Sequence, residues 1–175
     1  MTVSACGGAD DPLFERLMLH GPPDGALPGG LVVESAEPAD PGRPLHNNQG
    51  VRYTLRQIED PAARAELSIV VFTHGGAVQS FLQDLWDRGA VRAVMDDNLD
   101  QQQPFAPGSP PRRDVLCVEA NGEANPVTRV CMRGADRTLV VSEISSASEL
   151  FAEVSFDVAL LDAAADHAEA VIADE

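Results

Sequence analysis

The side chains best suited to chemistry stand where an apolar run gives way to glycines. Leu67 to Phe72 is short and rich in β-branched residues, and Thr73-His74-Gly75-Gly76 follows it. At the end of a buried strand, an imidazole can act as a general acid or base near neutral pH. The helix predicted after it offers backbone N–H groups to an anion or a developing oxyanion. His74 is therefore the first catalytic candidate; the alternative is a ring that only hydrogen-bonds within its own turn.

Three further residues complete the candidate catalytic set. Asp96 follows a second strand-like run, Val91 to Met95, and would share a sheet edge with His74 if the two strands were parallel neighbours. A carboxylate beside an imidazole fixes its tautomer and raises its basicity. His46 lies in a polar turn, and Tyr53 lies in the strand after it. The structural alternatives are that Asp96 caps a turn and that Tyr53 packs in the core with its hydroxyl satisfied.

The remaining reactive residues favour no metal site and no organic cofactor. The four histidines form no HxH, HxxxH or HExxH spacing, and the three cysteines form no CxxC. Neither GxGxxG, GxSxG nor a Walker sequence is present, and the absence of lysine excludes Schiff-base and P-loop-lysine mechanisms. Cys117 and Cys131 lie in apolar strand-like runs, so they are expected to be inert buried thiols rather than parts of a disulfide framework.

One short run resembles a known family motif. Val70 to Leu82, a strand followed by His-Gly-Gly and a helix, is similar to the later histidine motif of the histidine phosphatase superfamily. That family's nucleophile lies in an Arg-His-Gly motif near the N-terminus. The counterpart here, His20-Gly21, is preceded by Leu19 and followed by two prolines. We therefore assign no family from this resemblance.

The segment that positions His74 predicts a strand, a turn, a helix and a second strand. The apolar residues after the glycines fall at i, i+3, i+4, i+7 and i+8, which is one stripe of a helix: Val78, Phe81, Leu82, Leu85 and Trp86. A helix of this length can connect two parallel strands. The sequence therefore predicts a βαβ crossover at the centre of a mixed sheet.

The rest of the chain supplies the sheet and its cover. Residues 21–50 and 98–114 are rich in proline and glycine and are predicted to be loops, apart from a strand at Leu31 to Ser35. Three later runs, 115–119, 127–132 and 138–144, predict an antiparallel meander with turns at Asn121-Gly122 and Arg133-Gly134. An acidic helix ends the chain. We predict one α+β domain over 1–175 with a loose tail at 1–11; the alternative fold is a small β-barrel with flanking helices.

The charge balance restricts the partners. The 175 residues include 28 acidic and 12 basic side chains, all of the latter arginine, which gives a formal net charge of −16. Nucleic acid is an improbable partner, because phosphate binding needs a clustered basic surface. No run approaches the length of a membrane span and no secretory signal precedes the domain, so the expectation is a cytoplasmic protein without membrane contact. The composition favours a GC-rich bacterial genome.

Two functions of different classes are compatible with these features. The first is a small enzyme without an organic cofactor, an isomerase, cyclase or lyase, which uses acid–base groups in an enclosed apolar pocket on a small organic substrate. The second is a non-catalytic binding or accessory protein whose acidic C-terminal helix meets a partner. Assembly into a homo-oligomer stays open.

Overall fold

The protein folds around one large β-sheet with helices on both faces. The computed structural model describes residues 11–39, 45, 48–88, 92–95, 98–101, 115–120, 128–145 and 148–174. Its three α-helices are α1 (Pro12–Leu19), α2 (Gly75–Asp87) and α3 (Val154–Ala173). The eight strands are β1 (Leu31–Ala39), β2 (Gln49–Gln57), β3 (Arg64–Val71), β4 (Arg92–Met95), β5 (Asn98–Gln101), β6 (Val115–Ala120), β7 (Thr128–Ala135) and β8 (Thr138–Ile144). Two short 3-10 helices, Pro28–Gly30 and Glu149–Phe151, precede β1 and α3.

The sheet is antiparallel at every described pairing. Its strand order is β1-β2-β3-β8-β7-β6-β4-β5, with β1 and β5 as open edges, so the described strands do not close into a barrel. The α+β class and the meander β6-β7-β8 are confirmed. The predicted mixed sheet is wrong. Strands β3 and β4 run in the same direction, but β8, β7 and β6 lie between them, so α2 joins two strands that do not pair.

Three segments differ locally from the prediction. Strand β5 (Asn98–Gln101) lies at the start of the predicted loop 98–114. Strand β1 extends to Ala39, beyond the predicted Ser35. Pro38 is tolerated there because β1 is an edge strand, so the N–H that proline lacks is not needed to bond a further strand. The β7–β8 turn falls at Asp136-Arg137 rather than at Arg133-Gly134, and Asp136 has a positive φ of 49°. Asp is one of the few non-glycine residues that adopt this conformation readily.

The alternation of side chains along each strand creates two hydrophobic clusters. The larger lies between the sheet and the helices α1 and α3, and its largest fully buried side chains include Tyr53, Leu67, Ile69, Leu160 and Leu161. The smaller packs α2 against Val70, Leu116, Met132 and Leu139. Gly134 permits the close approach of α2, since a Cβ there would lie 3.0 Å from the Cγ1 atom of Val78. The sheet is therefore covered on both faces around β7 and β8.

The cysteine prediction is corrected by the register of β6 and β7. Cys117 and Cys131 are directly opposite each other and form a disulfide in the larger cluster. The turn predicted at Asn121-Gly122 would have paired Cys117 with a residue well before Cys131. A connection centred later, between Ala120 and Thr128, aligns the two sulfur atoms across the strands. The thiols expected to be inert are thus a covalent link within the sheet.

A buried ion pair fixes the start of α3 to the sheet. The Asp157 side chain is fully buried and Arg129 is 7% exposed. The Arg129 Nε and Nη2 atoms lie 2.6 and 2.5 Å from the same oxygen of Asp157, and Nη2 also donates to the Phe151 carbonyl at 2.8 Å. The Ser142 hydroxyl donates to the other carboxylate oxygen at 3.3 Å. Burial raises the pKa of Asp157, while Arg129 and Ser142 act in the opposite direction.

We predict that removing either charge alone is far more damaging than removing both. Arg129→Ala and Asp157→Ala should each lower the free energy of unfolding by about 3–5 kcal/mol, because each leaves a buried charge uncompensated. The double variant Arg129→Met/Asp157→Leu should recover most of that loss. Denaturant unfolding measures all three. Arg133→Ala is the control, since its partner Asp162 is half exposed, and it should cost at most about 1 kcal/mol. Single-variant losses as small as this control would contradict the prediction.

Candidate functional site

The end of the sheet that carries His74 is built from four segments. The end of β3 continues through Phe72, whose N–H donates to the Arg137 carbonyl at 2.8 Å in the β7–β8 turn. Gly75 opens α2 against the same turn, where a Cβ would lie only 2.9 Å from the Asp136 carbonyl oxygen. The N-terminus of α1 adds Asp11. The strand end, the two helix starts and the turn therefore meet at one edge.

His74 is the N-cap residue of α2. Its Nδ1 accepts a hydrogen bond from the Ala77 N–H at 3.1 Å, and the side chain is exposed. In the neutral ring this fixes the proton on Nε2, so that nitrogen is a donor. Acceptance of a proton by Nδ1 would break the cap. The arrangement matches the structural alternative for His74, although its role in catalysis stays a prediction.

An ion pair between Asp11 and Arg137 closes this end of the domain. The Arg137 guanidinium donates to both carboxylate oxygens, at 2.7 and 3.0 Å. Asp11 also caps α1 by accepting from the Leu13 N–H at 2.9 Å, and its own N–H donates to the Gln49 side chain at 2.8 Å. The hydrogen bond from Arg137 is the main cause of a lowered Asp11 pKa. Residue 11, the last of the predicted loose tail, is thus tied to the sheet.

Tyr53 lies elsewhere and is enclosed. Its ring is fully buried, and its hydroxyl donates to the Leu17 carbonyl of α1 at 2.6 Å. Burial raises the pKa of Tyr53 far above its ordinary range. Tyr53 pairs with Leu67, and the four residues from there to Val71 already span about 13 Å before the chain reaches His74. The structure therefore does not bring Tyr53 and His74 together.

The other two candidates, His46 and Asp96, lie outside the described residues, so their predicted roles stay predictions. Among the residues that are described, no three of His, Cys, Asp and Glu converge closely enough to hold a metal ion. A half-open pocket of about 350 Å³ is lined by Gly29, Gly30, Gln57, Ile58 and Glu59. It sits at the other end of β2 from Gln49, which pairs with Val71 near His74, and neither Tyr53 nor His74 lines it.

The outer side of α3 carries a second candidate surface. Asp162, Asp166 and Glu169 are exposed at spacings of four and three residues, which place them on one side of the helix. We call these three residues the acidic face of α3. Asp162 is ion-paired with Arg133 on β7. In the part of the chain that the structure describes, Asp166 and Glu169 have no basic partner.

His167 lies between these acids and contacts α1. Its Nε2 lies 2.9 Å from the carbonyl oxygen of His20, the C-cap residue of α1, so the ring donates there when Nε2 is protonated. Burial is the main cause of the lowered His167 pKa; the hydrogen bond to the His20 carbonyl acts in the opposite direction, and the charge of the His20 side chain lowers the pKa further. This contact fixes the later turns of α3 against the end of α1 that is remote from Asp11.

The sequence contained a usable indication of the paired acids. Arg129, Cys131 and Arg133 alternate along one strand and so point to the same face, the one that α3 covers. Two arginines on a covered face require acidic partners. The acidic helix predicted at the C-terminus was the available source, so Asp157 could have been proposed as the partner of Arg129.

Comparison with known proteins adds no assignment. No protein family, no curated protein and no solved structure matches this chain. None of the helices in the described segments combines the length and apolar character that a membrane crossing requires. The candidate sites must therefore be judged from their own geometry.

We predict that the Asp11–Arg137 pair makes stability depend on acid pH. Because the folded-state pKa of Asp11 lies below its ordinary value of 3.8, the stabilisation is fully present above that value and is lost as the pH falls through the folded pKa. Asp11→Asn keeps the cap acceptor and removes the charge. It should cost about 1 kcal/mol at pH 6, and this difference should shrink progressively as the pH falls below 3.8. Urea unfolding across this range tests it; a pH-independent difference would contradict the ion-pair explanation.

We predict that the cap accounts for the stability contribution of His74. His74→Ala should lower the free energy of unfolding by about 1 kcal/mol, since it removes the acceptor for the Ala77 N–H. His74→Asn should restore that loss, because Asn is a preferred N-cap residue. Thermal unfolding of the two variants beside the unmodified protein gives the comparison. Equal losses in both would show that the ring stabilises the fold through another contact.

Proposed function

We propose that this chain is a non-catalytic binding or accessory domain that meets a cationic partner through the acidic face of α3. The observation that carries the proposal is the position of Asp166 and Glu169, which are exposed, three residues apart and without a basic partner among the described residues. Like charges at this spacing destabilise a helix. The arrangement therefore costs local stability, as is typical of functional surfaces.

The rest of the molecule supports a rigid, acidic platform. The buried Arg129–Asp157 pair and the packing of Leu160, Leu161 and Ala164 hold α3 against the sheet. From Thr138 to the last residue the sequence has nine acidic side chains and no Arg or Lys. A fixed surface of one sign attracts oppositely charged partners and speeds their association. The same net charge of −16 disfavours nucleic acid.

The partner is best described by its chemistry. A surface with two carboxylates about one helical turn apart matches two guanidinium or ammonium groups at a similar spacing. An arginine-containing segment of another protein supplies them, because guanidinium pairs with carboxylate through parallel hydrogen bonds. The Cys117–Cys131 disulfide favours an oxidising compartment over the cytoplasmic location expected from the sequence.

We predict that neutralising the acidic face weakens binding of an arginine-rich peptide. Asp166→Asn/Glu169→Gln should reduce the affinity about fivefold at low salt, since each exposed charge contributes about 0.5 kcal/mol. It should also raise the free energy of unfolding by a few tenths of a kcal/mol, roughly the size of one like-charge pair. Titration calorimetry and denaturant unfolding measure the two effects.

The control removes the same charge from other surfaces. Asp24→Asn/Glu143→Gln changes two exposed acids in the segment before β1 and on β8. It should change the affinity less than twofold. A twofold change corresponds to about 0.4 kcal/mol, which is the usual scatter between substitutions at distant sites. Equal weakening in both double variants would show that the peptide responds to net charge alone and would reject the acidic face as the binding surface.

A small acid–base enzyme is the second candidate, and one observation favours it. An exposed His occupies the N-cap of α2, where Ser, Thr, Asp or Asn caps better, and its cap hydrogen bond uses only the Nδ1 atom. His74→Asn retains the cap and removes the imidazole. The test is to incubate the protein with a mixture of small metabolites and to follow the mixture by mass spectrometry. The unmodified protein should convert at least one compound, and His74→Asn should not convert it.

A further inference from the structure

A half-open cavity of about 350 Å³ lies at one corner of the sheet, where the chain enters β1 and leaves β2. This volume is at the lower end of the range for small-molecule sites, roughly 300–1,000 Å³. The cavity is lined by two glycines before β1 and by three residues where β2 ends: Gly29, Gly30, Gln57, Ile58 and Glu59. It is therefore large enough for one small molecule or one long side chain.

Hydrogen bonds hold the two walls of this cavity in place. The Nε2 atom of Gln57 donates to the Gly29 carbonyl at 3.0 Å and joins one wall to the other. The turn after β2 is closed at its far end, since the Gln57 N–H donates to the Ala63 carbonyl at 3.0 Å. The same turn is held by Asp60, which accepts from the Ala63 N–H at 2.9 Å and from the Ser148 hydroxyl at 3.3 Å. The cavity is thus preorganised, which reduces the entropy lost when a ligand binds.

The wall before β1 requires glycine. Gly29 and Gly30 have positive φ of 65° and 69°, which residues with a Cβ rarely adopt. A Cβ at Gly29 would also lie 2.8 Å from side-chain atoms of Leu150 and Phe156. The backbone of this wall therefore packs directly on apolar side chains near the start of α3, and no side chain from either glycine fills the cavity.

The chemistry of the lining favours a positive charge beside an apolar stem. Glu59 is the charged residue among the five, and in the described part of the chain its exposed carboxylate has no basic partner. Gln57 already donates to Gly29, so its Oε1 atom remains as an acceptor. The Ile58 side chain is 63% exposed and adds apolar surface. A cation can pair with the carboxylate, whereas an anion would be repelled.

We propose that this cavity binds a small organic cation, an alkylguanidinium or alkylammonium group on a short aliphatic stem. The cationic group binds the Glu59 carboxylate and donates to the Oε1 atom of Gln57, and the stem covers the exposed side chain of Ile58. Guanidinium is the better fit of the two, because its planar N–H groups pair with a carboxylate through parallel hydrogen bonds. The cation is a free molecule or the side chain of an arginine in another protein. None of the three residues of the acidic face of α3 lines the cavity, so this site is independent of the surface proposed above.

The test is an NMR titration of the protein, in which the amide signals report where each probe binds. The probes are butylguanidinium, its neutral isostere butylurea, and methylguanidinium, which keeps the charge and shortens the stem. Butylguanidinium should shift the amide signals of Gly29, Gly30, Ile58 and Glu59 with a Kd of about 1 mM. Butylurea should bind about fivefold more weakly because it lacks the charge. Methylguanidinium should bind about tenfold more weakly because it lacks three methylene groups that would be partly buried against Ile58.

Two variants separate the contributions of the charge and the stem. Glu59→Gln should bind butylguanidinium and butylurea equally, while the control Glu143→Gln, which removes an exposed acid on β8, should keep the preference for the cation. Ile58→Ala should reduce the preference for butylguanidinium over methylguanidinium to about threefold, because less apolar surface meets the stem. The control Leu19→Ala shortens an apolar side chain of α1 that is 76% exposed, and it should leave that preference unchanged. All four positions are exposed, so each variant is expected to fold.

A capped Gly-Arg-Gly peptide distinguishes the two sources of the cation. If the peptide shifts the same amide signals as butylguanidinium with equal or higher affinity, the natural ligand is an arginine of another protein. Weaker binding of the peptide identifies a free small cation as the ligand. Both results support the cavity as a cation site.

Three results would overturn the proposal. The first is equal binding of butylguanidinium and butylurea by the unmodified protein, since the charge of Glu59 would then play no part. The second is a set of shifts confined to the amide signals of Asp166 and Glu169, because the cation would then occupy the acidic face of α3. The third is the absence of any shift. Asp166→Asn/Glu169→Gln should leave the affinity for butylguanidinium unchanged, so the failure of either site is distinguishable from the failure of the other.

Discussion

The arrangement of the domain depends on one buried guanidinium. Arg129 on β7 binds the Asp157 carboxylate in the first turn of α3 and the carbonyl that ends the preceding 3-10 helix. Ser142 on β8 completes the site from the neighbouring strand. Because both charges are removed from water, each is tolerated only in the presence of the other. The pair thus determines where α3 begins, and α3 in turn covers the larger hydrophobic cluster, without which the inner side of the sheet would be exposed.

Local patterns predicted the elements better than their arrangement. The strands β2, β3 and β8 and the helix α2 follow from alternation or helical spacing, because these periods are properties of a few consecutive residues. The order of strands is not local. A connecting helix of thirteen residues is long enough to reach an adjacent parallel strand, yet α2 passes three strands before β4. The sequence of α2 does not indicate how many strands lie between the two that it connects. The sequence alone therefore could not exclude a mixed sheet with β3 and β4 as parallel neighbours.

The same distinction explains the site predictions. The helix start at His74 was predictable from Gly75-Gly76 and the apolar stripe that follows. Both alternatives for His74, a cap of its own helix and a catalytic group, could also be stated from the sequence. The enclosed bond from Tyr53 to Leu17 was anticipated as an alternative, because a sole tyrosine on an apolar face needs a partner. The disulfide was not, since an error in the position of one turn shifts every cross-strand pair. Long-range pairs of this kind require the register.

The acidic face of α3 lies apart from the ion pair at the start of α1. Asp166 and Glu169 flank His167, which contacts the end of α1 remote from Asp11. The eight residues of α1 place about 12 Å between its two ends, which exceeds the Debye length of about 8 Å at physiological salt. Arg137 therefore neutralises Asp11 at one end of the domain, while its charge is screened from the acids of α3 at the other end. The charge of those acids thus stays available to a cationic partner.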